Sequence, residues 1–273
     1  MSEDKQQKTY RGRIAPTPSG YLHEGHASTF KVAWSRARER NGDIVYRNDD
    51  LDKLRCQSEF SQAAMQDLKS LKINWDEGPD CGGEYGPYNQ RERADKYTAV
   101  LLQLAKEGFV YPCEKSRKEI QSFGMKAKAD NEYLFPQELR PVPVQYEKAE
   151  VNLNTNWRFR AKWSEKVSFL DGQKGEQNFE VGKDFSDFLV WRKDGFASYE
   201  LATVVDDYLM EISEIVRGVD LLVSSARQCL LFDSLKWSRP DFYHCELVLD
   251  QKGRKLSKSE KNTQNQSGPL SES

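Results

Sequence analysis

The sequence predicts an α/β protein, an open parallel sheet with a smaller α+β insertion, and three observations carry that prediction. Two apolar runs of the buried-strand type flank a strongly helical segment, which is the pattern of a βαβ unit. Between residues 113 and 184 the pattern changes to short alternating stretches broken by prolines. From residue 185 onward, helical and apolar stretches alternate again, as if the sheet resumes.

The elements follow in order. Residues 11–15 read as a strand, and the turn-forming Pro16-Thr17-Pro18-Ser19-Gly20 stops it. From Glu24 the apolar positions Ala27, Phe30, Ala33, Trp34 and Ala37 fall on one helical face, and Asn41-Gly42 supplies the stop. Residues 44–47 form the second strand. His23-Glu24-Gly25-His26 therefore lies at the first strand-to-helix turn, the place where open parallel sheets bind ligands. A helix is expected over 59–71, and residues 80–87, with Gly82, Gly83 and Gly86, form a loop. A further amphipathic helix over 92–106 runs through Tyr97, Val100, Leu101 and Leu104 and is closed by Gly108. Pro136, Pro141, Pro143 and the alternating Trp157-Arg158-Phe159-Arg160 mark the insertion. Residues 188–191 and 196–198 flank an Asp194-Gly195 turn, followed by a helix over 200–210, a strand over 212–217 and a helix over 225–235. The resulting division is 10–112 for the first half of the sheet, 113–184 for the insertion and 185–261 for the second half. Residues 262–273 form a polar tail expected to be disordered, and no internal repeat is present.

A chain of 273 residues can bury a substantial core. Its 41 basic and 43 acidic side chains nearly cancel, so a nucleic-acid partner needs local basic patches. Cys56, Cys81, Cys113, Cys229 and Cys245 are scattered with no Cys-x-x-Cys pair, which implies reduced thiols and a cytoplasmic location. No apolar run approaches the roughly 18 residues of a membrane span, and the N-terminus lacks a signal-peptide core.

Two short signatures carry chemistry. His23 and His26 stand beside a helix N-terminus, whose unpaired N–H groups and positive dipole end favour phosphate. Gly25 has no side chain to obstruct a nucleotide. Lys255-Leu256-Ser257-Lys258-Ser259, near the other end, offers two ammonium groups on a polar loop. A His-x-x-His pair can also be a metal pair or ordinary polar surface. It is not the zincin pattern, whose histidines stand four apart, and His244 is the one other histidine. A Lys-Leu-Ser-Lys-Ser stretch alone is usually a solvated basic loop. In this order, the two together read as a clamp for a nucleoside triphosphate, made to position reactants and stabilise spread negative charge.

With these residues in view, the chain resembles the class I aminoacyl-tRNA synthetases of the glutamyl type. His23-Glu24-Gly25-His26 resembles the HIGH motif and Lys255-Leu256-Ser257-Lys258-Ser259 the KMSKS loop. The glutamyl branch is marked by Arg13-Ile14-Ala15-Pro16-Thr17-Pro18-Ser19-Gly20, Asp76-Glu77-Gly78-Pro79-Asp80, Gly86-Pro87-Tyr88, Val204-Val205-Asp206-Asp207 and Glu214-Ile215-Val216-Arg217-Gly218. The resemblance implies a Rossmann-type parallel sheet with an inserted acceptor-binding subdomain. It implies ATP and Mg2+, with His23, Gly25, His26, Lys255, Ser257 and Lys258 at the nucleotide; His23, His26, Lys255 and Lys258 take the catalytic roles. It further implies a glutamate site in which Arg13 and Arg217 meet the side-chain carboxylate, Tyr199 adds a hydroxyl, and Asp49 holds the ammonium near Thr17.

The departures refine the expectation. Arg47-Asn48-Asp49-Asp50 stands where glutamyl enzymes usually carry Arg-Ile-Glu-Asp, and Glu24 replaces an apolar residue between His23 and Gly25. The chain ends soon after its lysine loop, without a helical anticodon-binding domain, which resembles the glutamyl-queuosine tRNA(Asp) synthetase type. That type implies transfer of glutamate to queuosine in the anticodon of tRNA(Asp). Its insertion often binds zinc through Cys-x-Cys and a later Tyr-x-x-x-Cys; here Cys113-Glu114-Lys115 and Tyr133-Leu134-Phe135-Pro136-Gln137 leave one thiolate, so no zinc is expected. Arg158, Arg160, Lys252 and Arg254 are candidates for an RNA-facing surface, although each alone reads as solvated charge. The expectation is a monomeric enzyme acting on L-glutamate, ATP and tRNA, without membrane association. Its rivals are a glutamate-activating enzyme with another acceptor (a tRNA 3′ end with a partner module, a small amine or a carrier protein) and a non-catalytic RNA-binding paralogue.

Overall fold

A computed structural model describes residues 9–130 and 132–248. In chain order the elements are β1 (Arg11–Ile14), α1 (Glu24–Glu39), β2 (Asp43–Tyr46), α2 (Ser58–Ser70), α3 (Ala94–Lys106), β3 (Val110–Pro112) and α4 (Arg117–Ser122). Then come β4 (Trp157–Phe159), β5 (Lys166–Asp171), β6 (Gly175–Glu180), β7 (Phe188–Arg192), β8 (Phe196–Ala197), α5 (Tyr199–Leu209), β9 (Glu214–Gly218), α6 (Leu222–Ser234) and β10 (Asp241–Cys245). They make a mixed α/β fold that includes the predicted parallel βαβ unit. The chain divides into two compact units, one drawn from Met1–Glu92, Glu211–Val219 and Cys245–Ser273, the other from Arg93–Met210 and Asp220–His244.

In the first unit β1 and β2 pair in parallel, Arg11 opposite Asp43 and Ile14 opposite Tyr46, with α1 as their crossover. The predicted stripe of α1 is the face that packs: Ala37 joins Ile14, Leu22, Ile44, Tyr46, Ala64, Leu68 and Ile73 in the core, with Phe30 and Trp34 against them. Asn41-Gly42 ends the helix for two separate reasons. Asn41 takes a left-handed φ of 51°, and a Cβ on Gly42 would lie 2.4 Å from the Tyr10 carbonyl oxygen. Residues leading into and forming β9 lie beside β1: Ser213 N–H donates to the Arg11 carbonyl at 2.9 Å, and Arg11 N–H to Ser213 Oγ at 2.8 Å. Tyr10 Oη and Arg36 Nε both donate to Glu214 at 2.6 Å, tying the lead into β1, α1 and β9 together. Burial works to raise the Glu214 pKa, but the Arg36 and Tyr10 hydrogen bonds outweigh it and hold the carboxyl below its ordinary value.

The second unit contains an antiparallel sheet in the order β3-β4-β7-β8 and an antiparallel β5–β6 hairpin. Phe242 of β10 lies parallel to Asp171 of β5. The sequence pattern places residues 188–197 at the start of the resumed parallel sheet; instead β7 pairs antiparallel with β4, and β8 antiparallel with β7. Stacking of Phe188 on Phe159 at 5.2 Å supports that register, and Gly195 closes the hairpin with a φ of 84°. Helix α4 is absent from the sequence expectation, yet Ser116 and Glu119 form a capping box at its start. Residues 90–93 form a separate short turn, so α3 begins two residues later than the periodicity predicts. Arg93, at that junction, is drawn into the interior: its Nε donates to Asp206 at 2.6 Å and Tyr97 Oη donates to the other oxygen at 2.8 Å. A second buried network joins Asp171, His244 and Ser225, at 2.6 and 2.7 Å from the two ring nitrogens. Among the described residues no helix is long and apolar enough to cross a membrane.

Candidate active site

The candidate site grows from the end of β1. The backbone beyond Ile14 is pinned from the far side of β2: Arg47 N–H donates to the Ile14 carbonyl at 2.9 Å and Asp49 N–H to the Pro16 carbonyl at 3.0 Å. Buried Leu22 then anchors the entry into α1. His23 is the N-cap, with extended φ −119° and ψ 167°, and its side chain makes no capping hydrogen bond to the first turn. The N–H groups there are thus not satisfied by that cap and present the positive end of the helix dipole. The imidazoles of His23 and His26 stack, with centroids 3.7 Å apart and planes at 25°. A Cβ on Gly25 would meet His23 Cε1 at 3.1 Å and Nδ1 at 3.2 Å. The missing side chain at 25 thus makes room for the His23 imidazole itself.

Two arginines approach from β1 and β9. Arg13 is 5% exposed and Arg217 is 4% exposed. Arg13 Nη1 donates to the Val216 carbonyl at 2.8 Å, one residue before Arg217. Buried guanidinium groups with fixed forks suit recognition of a planar carboxylate. Thr17 is exposed. Asp49 is buried and receives Arg47 Nε at 2.7 Å. The following carboxylates have their own arginines: Asp50 takes Arg91 Nε at 2.7 Å and Asp52 takes Arg55 Nε at 2.7 Å. Burial raises the Asp50 pKa despite the Arg91 contacts, whereas the Arg55 hydrogen bond lowers that of Asp52.

His23, Gly25, His26, Arg13, Thr17, Asp49 and Arg217 all belong to the first unit. Tyr199 belongs to the second, where it opens α5 after Ser198, whose hydroxyl caps the helix by accepting from Leu201 N–H; the Tyr199 side chain is exposed. Lys252, Arg254, Lys255, Ser257, Lys258 and the 262–273 tail lie outside the described residues. Arg158 and Arg160 have work within the second unit. Arg158 covers the Phe135 ring at 4.7 Å and donates to the Asp187 carbonyl. Arg160 covers Tyr111 at 4.6 Å and donates to the Pro141 carbonyl. Cys113 packs in an apolar cluster with Tyr111, Ile120 and Phe135. Among the described residues no three His, Cys, Asp or Glu side chains are grouped to hold a metal ion.

The sequence pattern does not disclose the partners of these groups. Arg47 follows β2 and pairs with Asp49 two residues on, and Asp206 is the buried acceptor of Arg93 and Tyr97.

Residues 9–272 match the family described as tRNA synthetases class I (E and Q), catalytic domain. The chain is 38% identical over 250 residues to a glutamyl-Q tRNA(Asp) synthetase of Nitratidesulfovibrio vulgaris, covering 91% of this chain and 77% of that protein. It is 36% identical over 261 residues to a glutamate–tRNA ligase of Listeria welshimeri, covering 94% of this chain and 52% of that one. Among solved structures, the glutamate tRNA ligase from Elizabethkingia meningosepticum in complex with its amino acid superposes with a TM-score of 0.78 at 28% identity, over 92% of this chain and 52% of that chain. The chain thus spans about half the length of the glutamate–tRNA ligases it matches.

Proposed function

The chain belongs to the family of class I (E and Q) tRNA synthetase catalytic domains, and from that premise we propose that it activates glutamate with ATP and transfers it to queuosine in the anticodon of tRNA(Asp). The observation that supports the acceptor is the match to two glutamyl-Q tRNA(Asp) synthetases, at 38% and 39% identity over 91% and 90% of this chain. The chemistry needs no protein nucleophile. A glutamate carboxylate oxygen attacks the α-phosphorus, the bond to the β-phosphate breaks, and pyrophosphate leaves; a bound Mg2+ would help neutralise the triphosphate. A queuosine hydroxyl then attacks the adenylate carbonyl and gives up its proton as AMP leaves.

In this reading His23, His26 and the first turn of α1 hold the triphosphate, and Gly25 keeps His23 in place. Arg13 and Arg217 take the γ-carboxylate, Asp49 with Thr17 takes the ammonium, and Tyr199 adds its hydroxyl. Lys255, Ser257 and Lys258 act on the departing pyrophosphate, on the strength of their order in the sequence. The protein works as a zinc-free monomer; stoichiometric zinc in metal analysis of the purified protein overturns the first of these and a dimer in solution the second.

The test has two stages. Pyrophosphate exchange with each amino acid, without tRNA, should be supported by glutamate. Labelled glutamate should then pass to tRNA(Asp) that carries queuosine and not to tRNA(Asp) that lacks it. Exchange without queuosine-dependent transfer moves the acceptor to a tRNA 3′ end or a smaller amine. No exchange with any amino acid leaves an RNA-binding paralogue.

A further inference from the structure

The chain as a whole is slightly acidic, with a formal net charge of −2, so a nucleic-acid partner needs a local basic patch. Arg158 and Arg160 do not supply it: each lies over an aromatic ring and donates to a backbone carbonyl of its own unit. Residues 114–128, in the same unit, carry Lys115, Arg117, Lys118, Lys126 and Lys128 against only Glu114 and Glu119. All five cations are exposed. Positive charge is thus gathered on one short stretch of a chain whose remainder is acidic.

The carboxylates nearest to this stretch have other partners. Glu119 closes the capping box of α4, accepting from Ser116 N–H at 2.8 Å, with its other oxygen 3.4 Å from Lys115 Nζ. Asp130 and Glu132 both face Arg227 of α6, at 3.2 and 2.7 Å. Among the described residues Arg117, Lys118, Lys126 and Lys128 form no ion pair. The backbone beneath them is held in place. Ile120 of α4 is buried with Tyr111, Cys113 and Phe135. Leu134 N–H donates to the Met125 carbonyl at 2.8 Å, Ala127 N–H to that of Glu132 at 2.9 Å, and Lys128 N–H to that of Lys183 at 2.9 Å. Ala127 is buried while Lys126 and Lys128 are exposed, the alternation of a strand with one side to solvent. Lys126 lies over the Tyr133 ring at 5.6 Å, and Phe123, at the end of α4, is 45% exposed. Fixed cations interleaved with open rings suit a sugar–phosphate chain whose bases can stack, more than a lipid headgroup layer.

We propose that residues 115–128 form a docking ridge for RNA, on which Arg117, Lys118, Lys126 and Lys128 meet backbone phosphates. The choice of RNA rests on the tRNA acceptor proposed above. None of these side chains belongs to the adenylation site, so the ridge governs capture of the acceptor and leaves adenylate formation alone.

Fluorescence anisotropy with a tRNA(Asp) transcript over a range of salt concentrations tests this. For the unsubstituted chain, log K against log salt should fall with a slope of about −3 or steeper. The quadruple variant Arg117→Gln/Lys118→Gln/Lys126→Gln/Lys128→Gln should bind roughly 50-fold or more weakly at 0.1 M salt, with the slope flattened by about 3. Changing the three lysines to arginine should keep affinity within about 3-fold, since the charge is retained. Glutamate-dependent pyrophosphate exchange without tRNA should stay within about 2-fold in every variant, which also shows that each one folds. A quadruple variant that binds the transcript within about 3-fold of the parent overturns the proposal. So does a parent slope shallower than about −1, a measurement that needs no variant. Ridge-dependent binding to phosphatidylserine vesicles with tRNA affinity unchanged overturns it in favour of a membrane surface. A chain that supports no exchange yet binds tRNA through these residues loses the activation reading and keeps the ridge.

Discussion

Replacing Gly25 by alanine should separate stability from catalysis at the start of α1. Gly25 is the second residue of that helix, and its backbone is not among the positive-φ glycines, so alanine is conformationally acceptable there. Alanine is the better helix former by about 0.5–1 kcal/mol in a helix interior, and by less in a first turn. Against that gain stands the new methyl, 3.1 Å from His23 Cε1 and 3.2 Å from Nδ1. Carbon contacts are comfortable at about 3.5–4.0 Å, so the imidazole must yield by a few tenths of an ångström, at about 0.5–1.5 kcal/mol if it leaves its rotamer. The two effects nearly cancel, and the melting temperature should move by no more than about 4 °C. The chemistry has no such compensation. His23 also stacks on His26 at 3.7 Å, so displacing one ring disturbs both. A misplacement of about 1 Å at a reacting centre can cost 10²-fold; a few tenths should reduce the kcat/KM for ATP by roughly 10-fold, or ~1.4 kcal/mol of transition-state stabilisation. Pyrophosphate exchange and a thermal melt on the same preparation decide the matter. A folded variant with exchange within 2-fold of the parent refutes the reasoning, as does an activity loss that merely follows a collapse in melting temperature.

The remaining predictions concern the lysine loop and the two buried networks. On the role proposed for the lysine loop, Lys258→Ala should depress exchange turnover far more than glutamate KM; unchanged turnover removes that lysine from the reaction. Arg93→Met takes the guanidinium away from the Asp206 carboxylate, which is 0% exposed, and should cost about 3–5 kcal/mol in a urea melt. Adding Asp206→Leu should recover more than half of that loss, and a double variant as unstable as the single one contradicts the assignment. Burial works to raise the Asp171 pKa, but the hydrogen bond from His244 and the Lys174 and Gln173 amides outweigh it, and the carboxyl titrates below its ordinary value. A depressed folded-state pKa stabilises above the unfolded value, about 3.9, and that stabilisation is lost as pH falls through the folded value. The stability gap between the parent and Asp171→Asn, read from denaturant midpoints, should therefore be full at pH 7 and narrow below about pH 4; a gap independent of pH refutes it.

What could be read from the sequence was whatever one element settles by itself. The stripe of α1 and the stop at Asn41-Gly42 are local, and the structure packs and ends that helix as the pattern requires. Sheet membership is not local. Residues 188–197 have a good strand pattern, but alternation says which side is buried and nothing about which strand lies alongside; the Phe159–Phe188 stack resolves it only once both strands exist. The same limit governs the acidic run that follows β2. Asp49, Asp50 and Asp52 are chemically alike in the sequence, and the structure distinguishes them by giving each a different arginine. Arg55 is three residues from its partner and Arg47 two, but Arg91 is 41 residues away, in the turn before α3. A carboxylate answering to an exposed arginine, as Asp52 does to Arg55 with 72% exposure, gains little from a pairing that solvent screens. A carboxylate held by a guanidinium with no exposure at all is oriented as well as neutralised. That difference in burial is what separates Asp49 from its neighbours: its carboxylate alone of the three is held by a guanidinium that solvent does not reach.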